Sequence, residues 1–232
     1  MALLAELQRV FENTYGREAG VDLEACVVGP RRCAELVEAS GEHEGELSDW
    51  ARFFYYVDGA DLRLALFYAE EMIEVLEEND PRRGLGEANV VPFLVFAEEA
   101  SHALHTTFAF DEAGAERVRS PEFLGELELL ARIDAYLLLR HFVHVLGGGI
   151  TERDRAWVRH QAIERWDVPY DDPRLARRYR GAARRAAEFV GRLEGLEPAE
   201  SVAALRRFRA LPPEQKLRFC RETPFLSRGS RR

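Results

Sequence analysis

Apolar residues in this chain mostly fall three or four positions apart, the spacing of one face of a helix, and the exceptions cluster early. The spacing predicts a first helix over residues 2–15, ended by the Gly16 to Gly20 region. Leu23 to Val28 is a short apolar run that reads as a strand, and Gly29-Pro30 then turns into a helix from Arg31 to Ala39. Two runs rich in Phe, Tyr, Val and Leu, Ala51 to Val57 and Leu62 to Tyr68, are joined by Asp58-Gly59-Ala60-Asp61, which predicts a β-hairpin. A helix over Glu70 to Glu78 follows. Residues 40–48 and 79–89 are polar or contain Gly and Pro, and read as loops.

Asn89 to Phe110, NVVPFLVFAEEASHALHTTFAF, is the most apolar helical segment, with Asn89 placed as N-cap and Pro92 in the first turn. The predicted helix runs from Val90 to Thr106, with a loop from Asp111 to Arg119. Ser120-Pro121-Glu122 marks the start of a second long helix to Val145, stopped by Gly147-Gly148-Gly149. Its residues Leu130, Ile133 and Leu137 share a face with Glu126, and Glu128 stands one turn from Arg132, a spacing that suits a surface pair. Further helices are predicted over Glu152 to Trp166, Leu175 to Leu193, Ala199 to Ala210 and Pro213 to Glu222, with a loop through Pro169 and Pro173 and a disordered tail from Ser227. The fold class expected is α+β: mostly helical, a small hairpin-containing sheet packed on the Asn89 helix over residues 1–150, then a helical extension over 151–232.

The chemistry concentrates on the central helix. At about 100° per residue, Glu98, His102 and His105 occupy one stripe and Glu99 lies beside it. The flanking residues are apolar, so carboxylates here require a counterion: a metal, an arginine, or one another. Glu98-Glu99-Ala100-Ser101-His102 resembles the HExxH helix of zincin-like metallopeptidases with glutamate in place of the first histidine. In that superfamily a twisted sheet precedes the metal helix and a later helix gives the third ligand. The resemblance implies Glu98 and His102 as ligands, Glu99 as the base that activates water, and Glu126 (or Glu122, one turn earlier) as third ligand, with His105 able to replace Glu98. It implies a divalent metal, zinc first. Two carboxylates with one imidazole make a harder set, which suits manganese or iron as well.

Three other readings use the same residues. Arg132 or Arg140 pairs the two glutamates and the histidines are hydrogen-bonded in the core, with no chemistry. Glu99-x-x-His102 is half of a di-iron carboxylate site, whose other half Glu122, Glu126 and Glu128 do not complete with a histidine. Or a zincin-derived scaffold serves as a non-catalytic binding module, its Arg-rich end holding an acidic protein. His141 and His144 fall near a helix end and suit its dipole or an interface.

Composition narrows this further. The net charge is −9, yet it divides: 12 Lys+Arg face 29 Asp+Glu over residues 1–150, and 20 face 12 over the remainder. The arginines of the second part alternate with acids at helical spacing, as on a solvated face, which argues against nucleic acid as its partner. Cys26, Cys33 and Cys220 have no ligand spacing and read as reduced thiols. No run of eighteen apolar residues is present, and the first helix carries acids unlike a signal peptide, so the chain is expected to be cytoplasmic.

Overall fold

The computed structural model describes residues 2–40, 49–166 and 173–221. Residues 41–48 of the loop expected over 40–48, the segment around Pro169 and the tail from Ser227 lie outside the described residues. The first helix, α1 (Ala2–Tyr15), buries Leu3, Leu4, Leu7, Phe11 and Tyr15 along one stripe. Gly16, at φ 65°, ends it. The Leu23 to Val28 run gives one 3-10 turn and a two-residue strand, β1 (Val27–Val28), before α2 (Pro30–Ser40), which has proline at its first position.

The hairpin forms as expected, from β2 (Ala51–Asp58) and β3 (Asp61–Tyr68). Asp58 faces Asp61, so Gly59 and Ala60 are the two-residue turn, and Gly59 supplies the left-handed φ of 60°. β3 is central, antiparallel to β2 and parallel to β1, in the order β1-β3-β2. This small sheet lies on α4 (Val90–Val118), preceded by α3 (Glu70–Glu78).

At α4 the structure departs from expectation in two ways. Asn89 stands before the first turn, but its side chain points back into the preceding loop: Nδ2 donates to the carbonyls of Asn79 (2.8 Å) and Gly84 (2.7 Å), and Oδ1 accepts from Gly86 N (3.0 Å). Asn89 therefore fastens the loop and makes no side-chain cap. The segment expected as a loop, Asp111 to Arg119, is helical as far as Val118, and only Gly114, at φ 70° and ψ −164°, breaks the winding.

The next helix, α5 (Pro121–Gly147), starts with proline and ends at Gly148 in the left-handed region. The Ser120 hydroxyl accepts no cap hydrogen bond. After it come α6 (Glu152–Ala162), opened by a reciprocal Thr151–Asp154 capping box, and α7 (Pro173–Leu193), α8 (Pro198–Ala210) and α9 (Pro213–Arg221). One core gathers α1, the sheet, α3, α4 and α6 around Ala135, Tyr136, Leu138 and Leu139 of α5. A second sets Leu129, Leu130 and Ile133 of α5 against Ala186, Phe189 and Phe208 of the C-terminal helices. Thus α5 is buried on two sides, and the helices after residue 150 share its cores. The three cysteines are free thiols. No helix among the described residues is long and apolar enough to cross a membrane.

Candidate metal centre

The two faces of α5 decide which of its acids meets α4. Residues two apart on a helix point about 200° away from each other. Leu130 and Ile133 carry Glu126 toward the C-terminal helices, where its carboxylate accepts from Arg117 and Lys216. Glu126 therefore does not join the stripe on α4, and Glu122 is exposed in the first turn of α5. Glu128 comes instead. Its face continues through Ala135 and Leu139 into the first core, and it is 2% exposed. Arg132, one turn on, is equally buried at 3% and donates to Glu98, so the two residues expected to pair on the surface both lie in the interior.

Glu98, His102 and Glu128 offer ligand atoms that all lie within 4.8 Å of one another. Around them the charges are arranged unequally. Arg132 Nη2 donates to Glu98 Oε1 at 3.1 Å. His102 Nδ1 lies 3.3 Å from Glu99 Oε2, and with Nδ1 as the donor the lone pair of neutral imidazole belongs to Nε2. Nε2 is buried and has no hydrogen-bond partner among the described residues. Phe53 of the sheet flanks the ring, with centroids 6.3 Å apart. Tyr68 closes the next turn, donating to Phe96 O at 3.3 Å.

Electrostatics follow from three carboxylates, Glu98, Glu99 and Glu128, sharing one guanidinium. Burial raises the Glu98 carboxyl above the ordinary range, opposed by Arg132 and helped by Glu128 and Glu99. Burial alone would lower the His102 imidazolium. The hydrogen bond to Glu99 and the charges of Glu128, Glu99 and Glu98 outweigh it and lift the group to about 9. Burial is thus the main cause at Glu98, whereas the surrounding carboxylates are the cause at His102.

His105, the other candidate on the stripe, is committed elsewhere. Asp134, 1% exposed, accepts from Tyr15 Oη (2.5 Å), Ser101 Oγ (2.6 Å) and His105 Nε2 (2.8 Å). Serine, histidine and aspartate all occur here, but Ser101 and His105 each bond the carboxylate and not one another, so the nucleophile–base contact of a hydrolytic triad is missing. The group ties α1, α4 and α5 together. Sequence reasoning passed over Asp134, although an acid inside LLARIDAYLLL signals a buried carboxylate that must find donors. His141 and His144 are exposed. Compared with protein-family models, curated proteins and solved structures, the chain matches none.

Proposed function

We propose that this chain is a metal-binding protein whose divalent ion is held by Glu98 and His102 of α4 and Glu128 of α5. The observation that carries the reading is the approach of three ligand atoms within 4.8 Å of one another, together with a buried imidazole nitrogen, His102 Nε2, that has no hydrogen-bond partner among the described residues. Glu99 acts as the carboxylate that orients the histidine, a second layer common to histidine-ligated metals. Among the described residues no other group of three donors lies so close, which favours one ion over a di-iron pair. Two carboxylates and one imidazole accept zinc, manganese or iron.

Hydrolysis is the activity this ligand set would serve, in the manner of the zincin-like peptidases that the Glu98 to His102 segment resembles. The ion would supply Lewis acidity. The base for such a reaction must be Glu99 released from His102, or Glu128 if the ion is held by fewer protein groups. A non-catalytic scaffold is the second reading, favoured by the Arg132–Glu98 pair, which neutralises one carboxylate without a metal. Its acidic partner would have to use arginines outside those already engaged, since Arg159, Arg192, Arg206 and Arg209 make internal bonds.

Elemental analysis of the purified protein separates the two. We expect about one ion per chain, lost in His102→Ala and Glu128→Gln and retained in Glu126→Gln. Protein that is metal-free as purified, and takes up no zinc, manganese or iron on dialysis, would leave only the scaffold.

A further inference from the structure

On the opposite side of α5, between the second half of α4 and the last two helices, lies a cleft of about 340 Å³. Ala109, Leu130, Leu211 and Pro212 give it an apolar wall. Its other wall is ionic. Arg117 and Lys216 both donate to Glu126, while Arg209 Nη2 and Arg17 Nη1 each reach Glu112 at 2.6 Å. Of the charged residues that line the cleft, Arg117, Arg209 and Lys216 meet Glu112 and Glu126, so three cations face two carboxylates and one positive charge is left over.

Two donors within this wall are unused. Arg117 Nη1 and Arg209 Nε are buried and have no hydrogen-bond partner among the described residues. Their guanidiniums are fixed in place, Arg117 over the Phe123 ring at 5.2 Å and Arg209 over Phe108 at 5.3 Å. A buried donor without an acceptor is costly, so two at one cleft point to an acceptor that arrives from outside. Burial lowers the Lys216 ammonium, with Glu126 opposing and Arg117 and Arg209 reinforcing it.

We propose that this cleft binds a small monocarboxylate with a short aliphatic chain, its carboxylate accepting from the Arg117 and Arg209 guanidiniums and its chain lying on Leu130 and Leu211. A single negative charge matches the surplus, whereas a phosphate dianion would reverse it. The site is separate from the proposed metal centre and does not depend on it.

Sodium hexanoate titrated into the full-length protein tests this, read by calorimetry and by the arginine Nε–H resonances. Saturable binding at one per chain is expected, with the Arg209 Nε–H signal displaced. Arg209→Met should weaken it at least tenfold. Ala113→Phe, at the exposed rim of the cleft, should do the same while removing no charge, which keeps the test sound if the arginine variant misfolds. His102→Ala should leave the affinity within twofold. Absence of saturable hexanoate binding, undiminished binding in Ala113→Phe, or displacement of hexanoate by equimolar inorganic phosphate overturns the assignment.

Discussion

His102 is held between an oriented nitrogen and an unsatisfied one, and its protonation records how much negative charge surrounds it. Without metal the folded chain keeps the imidazolium up to about 9, against 6.5 for the ordinary group. Between those values the folded state binds a proton that the unfolded state has released, so the stabilisation is complete below the lower value and is lost as pH rises through the upper one. We expect the urea midpoint of chelator-treated protein to fall across this window, and the fall to flatten in His102→Gln. Asp134 is a different case, because its role is to satisfy three donors. Asp134→Leu strands Tyr15, Ser101 and His105, and about 3–5 kcal/mol of stability should go with it, measured by denaturant unfolding. Of these roles the sequence made part legible. Helical spacing alone places Glu98 beside His102. It cannot choose between Glu126 and Glu128, since that depends on which side of α5 each neighbouring helix occupies. Nor does spacing distinguish His105 as Asp134's partner from His105 as a ligand.

Among the elements, the hairpin and the start of α5 were readable because turn and first-turn residues act locally: Asp58-Gly59 at the turn and Pro121 at the first position of α5. The far end of α4 was not, because a glycine among charged residues looks like a loop. Here the buried Val118, packed with Val57, Phe123 and Leu127, holds the segment in helical form past the break. Gly114 makes that break in a region of backbone space open essentially to glycine. Gly114→Ala should therefore lower stability by about 1–3 kcal/mol, although no other atom lies within 4 Å of an added Cβ. Gly125→Ala, with equally open space but inside regular helix, should change it by about 0.5–1 kcal/mol in the opposite direction. Thermal melts of the two variants side by side would settle the contrast.

For the whole molecule, the charge division near residue 150 marks a change of surface and not of interior. Leu129, Leu130 and Ile133 are covered by α7 and α8, while Val158, Ala162, Ile163 and Val190 enter the first core. A chain ending at residue 150 would leave both cores open. We expect it to bind a hydrophobic dye and to lose its cooperative melt, whereas the full chain unfolds in one transition. Tertiary sharing of this kind leaves no local mark in composition, which is why charge counting drew the line where packing does not. Because Glu126 and Glu128 serve opposite compartments of one rod, the rod's length upstream of them sets the phase of everything it displays. Removing Gly125 would turn the two acids by about 100° relative to the first turn of α5. Substitutions along α5 disturb one compartment at a time; a single-residue insertion or deletion would misalign both together.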